Sequence, residues 1–260
     1  MNKIIFSFLA LVILLHLEAH SVYAQDPCSD ISLDTIRAHA PVPPKAEIIS
    51  RKNTGGICEV ILSINGEPVP LYVSKDFIIA GEMYSNKVQI TRESLESVSA
   101  VISELKQEMA KKLAEDFLAI RDNLDTVAGI TYTPEGKKNH TLYMISSPSC
   151  PYCNKAAKEI QPILDETGTQ LKIIFQADGP ARDKAAEAIC QKIDLQTYNS
   201  NAWQSKSSEK ACDEGVEIVH KSSTLAQQLG VRGVPTFFLE DGSQVVGANM
   251  LELKKLLSAN

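Results

Sequence analysis

The chain has 260 residues, with 26 Lys and Arg against 32 Asp and Glu, and is acidic at −6 with a pI near 5.5. That balance argues against a nucleic-acid partner, and no basic run offers a hold on a membrane surface. The hydrophobic share of 44% is that of an ordinary globular protein.

Residues 1–24 carry Lys3 near the start, an apolar run over 4–15, and small residues at Ala19, Ser21 and Ala24. This pattern predicts a secretory signal peptide cleaved before Gln25; its apolar run is too short to span a bilayer, so the mature protein is expected to be exported without membrane insertion. Export bears on the six cysteines, because an oxidising compartment lets disulfides persist. Roughly 235 residues would remain, which we divide into two domains joined by a helix.

Residues 25–90 form the first predicted domain. A short helix starts at Ile31 with Asp30 as its cap and is stopped by Pro41, Pro43 and Pro44. Residues 57–64 then read as a strand, Asn65-Gly66 as a tight turn, and 70–74 as the returning strand, with further strands over 77–80 and 87–90. So small a module buries too little surface to be comfortable alone, and its sheet edge or apolar face is expected to pair with a second copy, giving a homodimer.

Residues 91–128 read as one long linker helix capped by Thr91. Leu95, Val98, Ile102, Leu105, Met109, Leu113, Phe117, Ile120 and Leu124 recur at spacings of three and four. About 30 residues at 1.5 Å each reach about 45 Å, enough to separate two globular parts. The alternatives are a coiled coil or an ordinary packed helix. Glu104, Lys106, Glu108, Lys111, Lys112 and Glu115 supply a solvated face.

Residues 129–260 form the second predicted domain. A short strand over 130–132 turns at Glu135-Gly136 into a buried strand over 141–146, and Cys150-Pro151-Tyr152-Cys153 opens the helix that follows. Two cysteines two residues apart at a strand-to-helix junction make a reversible dithiol switch. The helix N-terminus favours the Cys150 thiolate, the form that attacks disulfides, while Cys153, one turn in, becomes the more buried resolving thiol. A structural disulfide or half of a zinc site shares the spacing. Zinc needs two more ligands, however, and His39, His140 and His220 pair with no cysteine at ligand spacing, so no metal or other cofactor is expected.

Pro162 should kink or divide this helix, and residues 171–176 form the next strand, completing a right-handed βαβ unit. A polar helical insert spans about 181–221 with Trp203. A disulfide between Cys190 and Cys212 would close a loop of about 20 residues and contribute roughly 3 kcal/mol; the alternative is two unrelated buried thiols. A further helix ends at Gly230. Gly233-Val234-Pro235-Thr236 leads into a strand at Phe237, Asp241-Gly242 turns the chain into Val245-Val246, and Asn249 caps a final helix.

A Cys-x-x-Cys pair opening a helix, with Val234-Pro235-Thr236 ahead of a late strand, resembles the thioredoxin superfamily. There the proline matching Pro235 is cis and faces the active disulfide, and the missing N–H leaves the preceding residue free to pair with a substrate backbone. More narrowly, the mature chain is similar to the DsbC/DsbG family of periplasmic thiol:disulfide interchange proteins. Residues 71–73 and 77–84 match that family's dimerisation module, the linker helix follows, and Cys190 and Cys212 match its structural disulfide. The fold implied is α/β: a thioredoxin-like catalytic domain with a helical insert, joined by a long linker helix to a small N-terminal α+β dimerisation domain. The resemblance further implies a periplasmic homodimer whose cleft holds misfolded exported proteins and whose dithiol is kept reduced by a membrane thiol reductase of the DsbD type.

Three departures stand out. Pro151-Tyr152 is closer to the DsbG branch than to the isomerase branch, Val234 stands where Thr is usual and is commoner in DsbA-type oxidases, and the linker is longer than usual. Cys28 and Cys58 have no counterpart in the family, and export favours a bridge between them. The leading expectation is a disulfide isomerase or reductase. The rivals are a DsbG-like reductase of sulfenic acids, a DsbA-like thiol oxidase, and a non-enzymatic holdase chaperone whose cleft alone matters.

Overall fold

The computed structural model describes residues 26–136, 138–200, 203 and 211–259. The predicted signal peptide lies outside them. Among the described residues no helix is long and apolar enough to cross a membrane. The chain divides into two compact units, residues 1–106 and 107–260.

The first unit begins with α1 (Leu33–Arg37). Its cap is Ser32 rather than Asp30: the Ser32 hydroxyl accepts from the Thr35 N–H at 3.1 Å, and the Ser32 N–H donates in return to the Thr35 hydroxyl at 3.4 Å. A reciprocal pair satisfies two exposed helix-end donors, which a lone Asp30 cannot do. A four-stranded antiparallel sheet follows in the order β1 (Glu47–Thr54), β2 (Ile57–Ile64), β3 (Glu67–Val73), β4 (Ile78–Ala80). Asn65 and Gly66 both take positive φ, the geometry of a two-residue turn between twisted strands. The same turn recurs at Gly55 and Gly56, which marks β1, a strand absent from the expectation above. Val60, Leu62, Leu71 and Val73 face Ile31 and Ile36, while Ile61 faces the opposite way toward Val98 and Ile102, as alternating strand side chains must. A two-stranded ribbon, β5 (Tyr84–Ser85) and β6 (Val88–Gln89), completes the unit's sheet structure.

The linker is two helices, α2 (Ile90–Ser97) and α3 (Ser99–Thr126), separated at Val98. Gln89 is the residue before α2; Thr91 lies inside it and is fully buried. The Thr91 hydroxyl accepts from the Met83 N–H at 2.7 Å and is hydrogen-bonded to the Tyr72 hydroxyl. Tyr72 also donates to Glu59 at 2.9 Å, and Ser94 donates to the other Glu59 oxygen at 2.5 Å. Thr91 therefore serves as a buried tie between α2 and the sheet, a role its capping propensity hides.

The second unit holds a five-stranded mixed sheet built from β7 (Ile130–Tyr132), β8 (His140–Ser146), β9 (Thr169–Phe175), β10 (Thr236–Phe238) and β11 (Gln244–Val246). Its spatial order is β11-β10-β8-β9-β7, with β8 and β9 parallel and the other neighbours antiparallel. Leu142 and Met144 of β8 face one core and Tyr143 and Ile145 the other, so both faces of the sheet are covered. The first core takes in α4 (Pro151–Thr167), α5 (Gly179–Cys190), α6 (Leu195–Ser200) and α8 (Met250–Ala259). The second takes Phe117 and Leu124 of α3 and Ala226 of α7 (Asp213–Gln228). Pro162 lies inside α4 without dividing it. Gly215 lets α7 press against α5, since a side-chain carbon there would fall 2.6 Å from both the Ala186 carbonyl and Cys190 Sγ.

Two polar networks, one buried around Glu59 and one at the surface around Asp125, carry testable consequences. Glu59 is 2% exposed and takes hydrogen bonds from two hydroxyls, so Glu59→Ala leaves Tyr72 and Ser94 without their acceptor. Denaturant titration of that variant is expected to show a loss of about 2–4 kcal/mol; a change below about 0.5 kcal/mol contradicts this account of the network.

In the second unit Lys172 Nζ lies 2.6 Å from Asp125, and Tyr143 donates to the same oxygen at 2.7 Å. Burial raises the Asp125 carboxyl, but the bonds from Lys172 and Tyr143 outweigh it and hold the group below the usual carboxylate range. A depressed folded value means the stability Asp125 supplies is present above the ordinary carboxylate range and is lost as pH falls through the lowered one. Asp125→Asn should therefore cost stability near pH 7 and progressively less in acid, read from melts across that range. A pH-independent difference would contradict the assignment.

Candidate active site

Cys150 is the N-cap of α4, in extended backbone geometry, and Pro151 takes the first helical position, where its missing N–H costs nothing. The approach is held by the Cys150 N–H donating to the Ser147 carbonyl at 3.0 Å and by the Asn154 side-chain amide donating to the Pro148 carbonyl at 3.3 Å. Cys150 Sγ accepts from the Cys153 N–H at 3.4 Å and donates to the Val234 carbonyl, also at 3.4 Å. The sulfur thus sits over the open end of the helix, partly exposed, with a peptide donor beneath it and an acceptor across from it.

Val234-Pro235 is a cis peptide. It reaches Cys150 because β10 pairs with β8, Thr236 opposite Ile145, which sets the start of β10 beside the end of the strand that feeds the helix. The Thr236 hydroxyl donates to the Gly233 carbonyl at 2.7 Å, and the Gly247 N–H donates to the Pro235 carbonyl at 2.8 Å. Val234 is half-buried and packs against both cores of this unit. Tyr152 is 69% exposed, so the dipeptide between the cysteines faces solvent.

Cys153 is the counterpart of opposite character. It is fully buried among Ala156, Ala157 and Ile160 of its own helix. Burial pushes its thiol up to about 12; the Ser147 backbone and the Ser146 hydroxyl pull the other way, and the Cys150 thiol adds to the rise. One sulfur is thus reachable and the other is held protonated until something reaches it from Cys150.

The other four cysteines are bonded in pairs. Cys28 is joined to Cys58 with an S–S distance of 2.07 Å, within the first unit. Cys190 is joined to Cys212 at 1.98 Å, linking the end of α5 to the residue before α7. They are therefore spent as ligands for a metal, and Cys150 and Cys153 are the free pair among the described residues. Two neighbours of the dithiol escaped the sequence reading: Ser146, the last residue of β8, and Tyr198 on the insert. No spacing rule connects either of them to Cys153; burial and topology bring them together.

Residues 127–259 match the sequence profile of a family described as the thioredoxin-like domain. The chain belongs to that family. The thioredoxin-like domain accounts for the βαβ unit, for the helix that Cys150 caps and for the antiparallel pair β10 and β11. Over 182 residues the chain is 25% identical to the probable thiol:disulfide interchange protein DsbC of Bordetella avium (strain 197N). That match takes in 68% of this chain and 57% of the relative, less than two thirds of its length. Among solved structures it is similar to Helicobacter pylori DsbG, at 18% identity and a TM-score of 0.40 over 75% of this chain and 94% of that one. It is also similar to the thiol-disulfide exchange protein alpha-DsbA2 of Wolbachia pipientis, at 16% identity and a TM-score of 0.45 over 58% and 96%.

The unlike environments of the two sulfurs predict unlike reactivity. With Cys150→Ser, the remaining Cys153 thiol should alkylate near pH 8 at least about a hundred-fold more slowly than an exposed cysteine peptide, because almost none of it is ionised. Alkylation at the peptide rate would contradict the burial described.

Proposed function

We propose that the chain is an exported thiol:disulfide interchange protein, working as a disulfide isomerase or reductase on misfolded exported proteins. The observation that carries this reading is the pairing of a reachable Cys150, beside the cis Val234-Pro235 loop, with a buried Cys153 on the same helix. Cys150 attacks a substrate disulfide as a thiolate and forms a mixed disulfide, releasing one substrate sulfur. Either a second substrate thiol then displaces Cys150, which rearranges the substrate's bonds, or Cys153 attacks Cys150 and leaves the substrate reduced. Val234 and Pro235 line the approach to Cys150 and orient the substrate backbone.

The assembly proposed is a homodimer through residues 25–90. Its support is the edge strand β4, with Ile79 exposed, and the exposed Phe77, Tyr84 and Val88 close by in the chain. An apolar sheet edge of this kind invites pairing with an identical one. The compartment proposed is the periplasm, where a membrane reductase of the DsbD type would return the dithiol to its reduced state.

A second reading, in which the same atoms oxidise substrate thiols, is favoured by Val234. Its side chain offers no hydroxyl to a neighbouring sulfur, so one donor that would favour the reduced dithiol is missing. Thiol trapping in cells separates the two readings: a dithiol found mostly reduced supports isomerase or reductase, and one found mostly oxidised supports oxidase. For the roles of the two sulfurs, Cys153→Ser is expected to accumulate mixed disulfides with exported proteins on non-reducing gels. Accumulation with Cys150→Ser instead would reverse the assignment.

A further inference from the structure

A resolving thiol buried as completely as Cys153 must ionise in order to attack, and the question is what meets the charge. Three groups bear on its sulfur: the Ser147 backbone, the Ser146 hydroxyl and the Cys150 thiol. Ser146 and the Tyr198 phenol bear on one another, and both sulfurs bear on Tyr198. Among the described residues, none of the groups that act on this sulfur is a charged side chain.

What does lie there is unusual in another respect. Ser146 is fully buried and Tyr198 is 1% exposed, yet neither hydroxyl makes a closed hydrogen bond. Buried hydroxyls are ordinarily satisfied, because an unpaired one costs about 1–3 kcal/mol. Tyr198 is held firmly where it is. Its ring lies 6.1 Å from that of Trp203 and 6.0 Å from that of Phe175, and Asn199 beside it donates to the Ala157 carbonyl of α4 at 3.0 Å. Burial and the two sulfurs keep the phenol protonated, so it is a donor and not a base.

We propose that Ser146 and Tyr198 form a two-hydroxyl donor chain that stabilises the Cys153 thiolate during resolution of the mixed disulfide, Tyr198 donating to Ser146 and Ser146 to the sulfur. The resting protein leaves these donors unpaired because their acceptor is the thiolate, which exists only while Cys153 reacts. In that step the Cys153 S–H loses its proton, its sulfur attacks Cys150 Sγ, and the Cys150–substrate S–S bond breaks. The electron pair goes to the substrate sulfur, which leaves as a thiolate and takes up a proton equivalent to the one Cys153 gave. The dithiol is oxidised, the substrate sulfur is reduced, and both hydroxyls keep their protons throughout. In this chain Ser146 is the donor that meets the reacting sulfur once it is charged, and Tyr198 acts through Ser146 and is a positioning residue.

The inference rests on the dithiol reading above, and one experiment separates the two. Reduced full-length protein is mixed with dithionitrobenzoate under conditions that leave the two structural disulfides intact. Attack by Cys150 releases one thionitrobenzoate, and resolution by Cys153 releases a second. Tyr198→Phe and Ser146→Ala should each leave the first phase unchanged and slow the second by about ten-fold or more, the rate equivalent of one hydrogen bond to a charged group. The pH profile of the second phase should move to higher pH. The double variant should be no slower than Ser146→Ala alone, because Tyr198 acts only through that residue. Tyr198→Phe removes an oxygen with no closed bond to lose, so its thermal midpoint should not fall, and this variant decides the matter if Ser146→Ala folds poorly. A second phase unaltered in rate and pH profile, or both phases slowed alike, overturns the donor chain. Absence of any first phase in the unmodified protein overturns the dithiol reading itself.

Discussion

The chemistry of this protein depends on how α4 is seated. Ala156, Ala157, Ile160, Ile163 and Leu164 press one face of the helix into the core beneath β8 and β9, and Cys153 lies on that same face. A helix fixed in this way cannot withdraw Cys153 from the interior without opening the core, whereas Cys150, one turn earlier at the cap, is left at the rim. The difference between two chemically identical side chains is therefore set by helix phase and packing.

The sheet does the second part of the positioning. β8 ends at Ser146 just ahead of the dithiol, and β10, paired antiparallel to it, begins at Thr236 directly after the cis peptide. Strand pairing thus brings Val234 within hydrogen-bonding distance of a sulfur 84 residues away in sequence. The Val234 carbonyl then competes for the Cys150 S–H. A substrate backbone arriving at this loop would meet the sulfur and the loop together.

Much of this was legible in the residues, and the failures have identifiable causes. The β2–β3 turn at Asn65-Gly66 and the apolar strand before Cys150 announce themselves through local chemistry, and the structure has both. β1 did not, because Arg51, Lys52 and Asn53 break its apolar alternation, and only the Gly-Gly turn after it signals a hairpin. The apolar periodicity that predicts one unbroken linker helix continues smoothly across Val98, where the backbone breaks. Thr91 looked like a cap because threonine often is one. Its burial against Tyr72 and Met83 is a tertiary fact that no local pattern encodes. Within the site, the Cys-x-x-Cys spacing and the proline at 235 were readable one residue at a time. Ser146 and Tyr198 were not, since 52 positions separate them and what unites them is a shared burial beside Cys153.

The central claim is that one pair of cysteines exchanges while two pairs hold the fold, and a redox titration read cysteine by cysteine tests it most directly. The protein would be equilibrated across a series of glutathione buffers, quenched by alkylation and mapped by mass spectrometry. The account predicts that Cys150 and Cys153 follow the buffer together, while Cys28–Cys58 and Cys190–Cys212 stay bonded across the series. A Cys150–Cys153 pair locked in one state, or another pair opening at the same poise, would contradict it.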